Sequence, residues 1–252
     1  GTLGIICEAR VSLEPLDPHP VWTISGRASE MSVATTAVEE TITRGLQPAI
    51  MELLDEASVR HISNLLAQKI DHPGTVQLIA QADGPGSEEE AERIAGTWRE
   101  CGIDVEVGRD REDLIEFRRS MHPAMEAQGT VLIEDVAVPR SQLGSMFAAI
   151  REIEKEFGIE IPTVAHAGDG NLHPNFLYTG DEVPAEIWSA ADALFRQAVA
   201  LGGTLTGEHG VGLLKRKWLL EELGQTQWEL QRKIKEVFDP QGILNPGKVF
   251  TP

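Results

Sequence analysis

The stretch VAHAGDGNLHPNF, residues 164–176, sets His166 and His173 on either side of an Asp-Gly pair. Gly168, Gly170 and Pro174 exclude a helix here, so the spacing is not that of helical turns. Asp-Gly between apolar runs is a hairpin signal, because both central positions favour positive φ. With Asp169 and Gly170 at the centre, Gly168 faces Asn171, Ala167 faces Leu172, His166 faces His173 and Val164 faces Asn175. Opposed residues share a face roughly 5 Å apart, and the next pair of that face lies two residues along. This register gathers His166, His173 and Asn175 on one side. Two imidazoles so close suit a shared metal ion. A surface pair or a satisfied core pair is the plain alternative.

A second polar cluster lies in GGTLTGEHGVG, residues 202–212, where Glu208 and His209 sit between Gly207 and Gly210. Neighbours in extended chain point to opposite sides, so the two should do different jobs. One can complete a His-His-Glu ligand set with open coordination positions, and the other can handle a proton. A glycine-rich loop capping the next helix is the plain alternative. Arg118 and His122 fall four apart on a helix expected over 111–127, and arginine suits a bidentate grip on a carboxylate. A solvated helix face competes with that reading. Lys215, Arg216 and Lys217 read as a solvated helix start, and the five tryptophans as core or interface anchors.

The elements that must position these groups alternate along the chain. GTLGIICEARVSLEPL reads as a period-two apolar strand with no element before it, followed by a linker at 15–20. It is read as the last strand of an upstream domain. Strands are expected at PVWTISGRA, at 49–55, 75–83, IDVEVG and 130–139, and helices at 36–46, 57–69, 141–157, 183–201, 213–223 and 226–237. A further helix starts at Ser87, with a hydroxyl cap and three following acids, and stops at Gly102. The pattern suits either a doubly wound sheet or helices packed on an antiparallel one.

Composition narrows the function. The 252 residues carry a formal charge of −18, which disfavours nucleic acid as a partner. No apolar run approaches the ~20 residues of a membrane span, and the start does not resemble a signal peptide. Cys7 and Cys101 have no motif spacing and read as thiols of a reducing compartment.

Three segments taken together, HAGDGNLHPN, GGTLTGEHGVG and VFDPQGILNPGKVF (237–250), resemble the C-terminal half of FAD-linked oxidases of the vanillyl-alcohol-oxidase type. Within that type the chain is similar to the glycolate oxidase D-subunit and to D-lactate and D-2-hydroxyglutarate dehydrogenases. The resemblance implies an α+β cap domain over residues 18–252, an antiparallel sheet covered by helices and ferredoxin-like in character. Residues 1–17 would be a remnant of the FAD-binding domain. The family's flavin is held mainly by that domain, so the chain alone is expected to be inactive and not to retain FAD. By motif, His166, His173 and Glu208 match the positions that hold a divalent metal, usually zinc. His209 matches the proposed general base, and Asn175 lies at the substrate. Arg118, with His122 beside it, is similar in placement to the arginine that binds the substrate carboxylate. Asn245 and Lys248 fall in a tail that returns to the flavin.

The implied function is the substrate-binding half of a D-2-hydroxyacid dehydrogenase, passing hydride to FAD with metal assistance. An electron-accepting subunit is an expected partner, and the expected location is cytoplasmic, peripheral to the membrane through such a partner. Some members carry a lysine on the strand after the arginine helix, where this chain has Ile133 or Glu134. That argues for a small monocarboxylate over a dicarboxylate. A metal-dependent hydrolase and a non-catalytic binding module are the other classes weighed. The hydrolase would leave the NPGK tail and the opening strand without a role, whereas the ferredoxin-like scaffold would serve a binding module.

Overall fold

The structure is a computed structural model that describes residues 1–67 and 75–250. Its first half runs β1 (Trp22–Ala28), α1 (Met31–Thr43), β2 (Ile50–Leu54), α2 (Glu56–Leu65), β3 (Val76–Ala82), α3 (Ser87–Glu100) and β4 (Asp104–Arg109). Then come α4 (Glu112–Arg119), α5 (Met121–Glu126), β5 (Thr130–Ile133), β6 (Val136–Ala137) and α6 (Leu143–Phe157). The hairpin strands β7 (Thr163–His166) and β8 (Asn171–Tyr178), then α7 (Ala185–Ala200) and α8 (Arg216–Phe238), complete the chain. The strands form one sheet in the order β4-β1-β3-β2-β7-β8-β5, with β6 also on β8. Every pairing is antiparallel, which settles the choice of architecture left open above. The first four strands with α1 and α3 give the expected ferredoxin-like β-α-β-β-α-β core.

Each strand sends alternate residues to opposite faces, and the two faces carry different cores. Met51, Leu53, Ala165, Leu172 and Phe176 join α1, α3, α6 and α7 in the larger core, where Trp98 is fully buried. Leu54, Ile79 and Val164 face the other way, onto α2 and α5, in a smaller cluster with Ile62, Met121 and Met125. By the same alternation Glu52, His166, His173 and Asn175 emerge on this second face. The smaller core is the floor on which they stand.

Several expectations are corrected. Residues 1–16 pair with no strand among the described residues, and Ile5, Ile6, Leu13 and Leu16 lie exposed; a period-two segment becomes a strand only where a partner supplies its ladder bonds. The Ser87 hydroxyl does not cap α3; it donates to Pro20 O at 2.9 Å, and Gly86 in the left-handed region is the cap residue. The helix expected over 111–127 breaks at Ser120 into α4 and α5. Pro123 accounts for the break, since it has no N–H and its ring crowds the carbonyl one turn back. The strand expected over 130–139 is interrupted at Glu134 and Asp135. The two helices expected after 213 are present, separated within α8 by the kink at Gly224. The helix expected over 57–69 is described as α2, ending at Leu65, and positions 68–69 lie outside the described residues, as do 251–252 of the tail.

The hairpin turn is also not the one expected. His166 faces Asn171 and Val164 faces His173, a register two residues away from the two-residue-turn reading. Residues 167–170 form a four-residue loop in which Asp169 N and Gly170 N both donate to His166 O at 3.0 Å. Only Gly170 takes positive φ, at 78°. A shift of two keeps every side chain on its face, so the predicted grouping survives the wrong turn.

At Gly170 a Cβ would sit 2.2 Å from Val138 O, whereas at Gly96 in α3 it would meet nothing within 4 Å. Gly170→Ala is therefore expected to destabilise the domain by about 2–4 kcal/mol, through backbone overlap and left-handed strain. Gly96→Ala should stabilise it by about 0.5–1 kcal/mol. Chemical denaturation of both variants checks the contrast.

Candidate metal and carboxylate site

His166 ends β7 and His173 lies in the middle of β8, and their rings meet edge to face with centroids 5.2 Å apart. The loop after α7 brings Glu208 and His209 over them. Glu208 Oε1 lies 3.3 Å from His173 Nε2 and 3.9 Å from His166 Nε2. His209 stacks on His173 at 5.0 Å, with ring planes 17° apart. The expectation that Glu208 and His209 would point apart is corrected. The Gly207–Gly210 loop is not extended, so both side chains turn to the same cavity.

That cavity, about 460 Å³, is lined by His166, His173, Asn175, Glu208 and His209 together with Arg118 and His122. Ile50, Ile115, Met121, Ile133 and Val164 give it an apolar wall. Asn175 is buried, and its Nδ2 donates to Pro162 O and His173 O at 3.0 and 2.8 Å. Its carbonyl oxygen is what remains for a ligand. His122 is no longer a same-helix neighbour of Arg118; it lies on α5, exposed and 3.4 Å from Glu126. Asn245 and Lys248 line a separate cavity beside the end of α8 and bond each other at 3.0 Å. The described structure does not bring them to the histidines.

Sequence reasoning missed three buried charges. Glu52 is the one charged residue in the strand IMELL, and its carboxylate joins His166 Nδ1 at 2.6 Å to Arg118 Nε at 2.8 Å. A lone acid in an otherwise apolar strand was the available signal. Asp135 accepts from Glu208 N at 3.0 Å, His209 N at 2.9 Å and the Thr206 hydroxyl at 3.1 Å, which fixes the loop through its backbone. Gly207 permits this approach, since a Cβ there would lie 2.3 Å from Asn171 Oδ1 and 2.7 Å from Asp135 Oδ1. Lys215 is no solvated helix start. It is buried, donates to Asp135 O at 2.5 Å and lies 3.6 and 3.7 Å from the Asp135 and Glu134 carboxylates.

The charges at the site are unequal. Burial, then the neighbouring His166 and His209, pull His173 down to a pKa of about 4, so its imidazole is neutral at pH 7. The hydrogen bond that His166 donates to the Glu52 carboxylate raises the His166 pKa. Burial pushes Glu52 up, but His166 and Arg118 outweigh it and leave the carboxyl below its ordinary value. Lys215 serves two carboxylates. Asp135, with its N–H donors, stays below the usual range despite burial, while burial lifts Glu134 to about 7. Neither Glu134 oxygen has a hydrogen-bond partner among the described residues.

The donor set fits a divalent ion. Nitrogen and oxygen ligands about 2.0–2.1 Å from a tetrahedral ion stand about 3.3 Å apart, close to the separations at Glu208 Oε1. The ligand atoms of His166, His173 and Glu208 all lie within 4.8 Å of one another. The carboxylate behind His166 holds the ring and leaves Nε2 as the free lone pair.

The family model described as "FAD linked oxidases, C-terminal domain" matches residues 23–249. The chain is 34% identical over 260 residues to glycolate oxidase subunit GlcD of Bacillus subtilis, covering 99% of this chain and 55% of that protein. To the D-lactate dehydrogenase of Archaeoglobus fulgidus it is 31% identical over 254 residues, covering 99% and 56%. It thus spans about half the length of the curated relatives it matches. A crystal structure of p-cresol methylhydroxylase with substrate bound shares the fold, at TM-score 0.65 and 14% identity over 92% of this chain and 53% of that one. No helix among the described residues is long and apolar enough to cross a membrane.

Two stability outcomes follow from the buried charges. Lys215→Met leaves two carboxylates without their cation and should cost about 3–5 kcal/mol, whereas Lys217→Met, at an exposed position, should cost under about 1 kcal/mol. Glu134 has a folded pKa above its unfolded value near 4.5, so its contribution is complete below pH 4.5 and is lost as pH rises through about 7. The stability of Glu134→Gln relative to the unsubstituted chain should therefore rise over that window, by up to about 3 kcal/mol, in urea unfolding across pH.

Proposed function

The chain belongs to the FAD-linked oxidases, as their C-terminal domain, and from that premise we propose that it is the substrate-binding half of a flavin-dependent D-2-hydroxyacid dehydrogenase of the glycolate and D-lactate type. The observation that carries this reading is the convergence, on one cavity, of the ligand atoms of His166, His173 and Glu208 with the Arg118 guanidinium. A 2-hydroxyacid presents a carboxylate and a hydroxyl on adjacent carbons, and this cavity offers a matching cation and metal position.

In this reading His166 Nε2, His173 Nε2 and the Glu208 carboxylate hold a divalent metal, zinc by the chemistry of the donors. When bound, the ion supplies a Lewis acid that lowers the pKa of the substrate hydroxyl, and the flavin supplies the hydride acceptor. Arg118 binds the substrate carboxylate through its terminal nitrogens, because its Nε is taken by Glu52. Asn175 Oδ1 orients the substrate, and His122 borders its carboxylate end. His209 receives the hydroxyl proton at Nε2, a role suited to an imidazole 45% exposed at the cavity mouth. The apolar wall excludes water from the carbon that loses hydride. Asn245 and Lys248 face the flavin side, and residues 1–17 belong with the flavin-binding domain. An electron-accepting partner, and through it a cytoplasmic place at the membrane periphery, complete the proposal.

A panel of glycolate, D-lactate and D-2-hydroxyglutarate, with a dye acceptor, tests this on a protein carrying the chain together with its flavin-binding domain. Turnover of the monocarboxylates is expected, with 2-hydroxyglutarate poorest. Absence of turnover on all three sinks the assignment. In the same protein Arg118→Lys should raise KM roughly tenfold or more, since the planar fork is lost. An unchanged KM returns Arg118 to a structural role.

A further inference from the structure

Glu52 stands between the two halves of the proposed site. It is 7% exposed, and in the β2–β7 ladder it is the direct partner of His166. Its two oxygens are divided: Oε1 meets His166 Nδ1 at 2.6 Å, and Oε2 meets Arg118 Nε at 2.8 Å. These are charge-assisted contacts in a partly desolvated place, where they fix geometry strongly. The first sets the His166 tautomer, with the proton on Nδ1 and the lone pair on Nε2, the nitrogen that faces Glu208. The second clamps one edge of the guanidinium. Among the described residues the Arg118 guanidinium makes no other hydrogen bond, so its terminal nitrogens stay open to the cavity.

We propose that Glu52 is the positioning residue that couples metal binding at His166 to carboxylate recognition at Arg118. The proposal rests on the reading of the site given above. Its physical content is that one rigid carboxylate, fixed by sheet register, sets the distance between the metal position and the cationic fork. That distance is the one a 2-hydroxyacid must span between its hydroxyl and its carboxylate. Glutamine cannot replace it. Its amide has one acceptor oxygen, so it can satisfy His166 Nδ1–H or Arg118 Nε–H but not both. The side left over faces an NH₂ group, which repels a donor or selects the wrong imidazole tautomer.

The test uses this chain with Glu52→Gln, a substitution that conserves volume on the sheet. Zinc alone is titrated calorimetrically first, and D-lactate is then titrated into the zinc-saturated protein, where no flavin is present to turn it over. Nitrogen-15 NMR of the histidine rings reads the His166 tautomer in the zinc-free protein, a signal that a merely structural role for Glu52 would leave unmoved. Zinc affinity is expected to fall on the order of 10–100-fold. D-lactate affinity at saturating zinc is expected to fall roughly tenfold, and the Nδ1–H tautomer of His166 to lose its dominance. If zinc binds the unsubstituted chain and Glu52→Gln leaves it within about threefold with the tautomer unchanged, the coupling role is overturned. Loss of zinc affinity without any loss of D-lactate affinity overturns it equally. Failure of the unsubstituted chain to bind zinc overturns the metal reading itself, which a direct zinc titration reveals before any variant is made.

Discussion

The site is measured from one pairing, the Glu52 carboxylate against the His166 imidazole across β2 and β7. Sheet register puts them opposite each other, and the alternation of strands puts both on the face of the smaller core. A slip of one residue in β2 would turn Glu52 into the larger core and present Met51 or Leu53 to the histidines. The apolar residues on either side of Glu52 resist that slip, since Leu53 and Leu54 are fully buried on opposite faces. Hydrophobic patterning therefore fixes a polar geometry.

The loop that carries Glu208 and His209 has no sheet to hold it, and a different device does so. Asp135 interrupts a strand, takes two successive loop amides and a hydroxyl, and is itself supported by buried Lys215. One lysine beside two carboxylates can balance only one of them. The donors around Asp135 decide that it keeps the charge, while Glu134 is left as a carboxyl lifted by burial. The domain thus gives up stability to hold the loop in place, a cost that buried charge clusters commonly carry.

Much of this was legible in the sequence. The family, the antiparallel sheet with helices, the grouping of His166, His173 and Asn175, and the approach of Glu208 all followed from patterning and motif. The turn was misread because Asp-Gly is a hairpin signal of loop type as well as of place, and the chain closed a longer loop from the same residues. The grouping was insensitive to that error because it depends on parity alone. Asp135 and Lys215 were not legible, since each acts on residues distant in sequence and neither stands in a motif, while Glu52 gave only the signal of a lone acid in an apolar strand, with no pointer to its partners. The break at Ser120 was signalled by Pro123. Its effect was to separate Arg118 from His122 by a turn while leaving both on the cavity.

The most direct measurement is anomalous diffraction at the zinc edge from crystals of the zinc-loaded chain. A single ion ~2.0–2.2 Å from His166 Nε2, His173 Nε2 and a Glu208 oxygen is the expected result. Asp135, His173 and His209 form the other grouping close enough to hold an ion among the described residues. An ion on that second set, with His166 and Glu208 unligated, would contradict the assignment of the metal position and, with it, of His209 as the base.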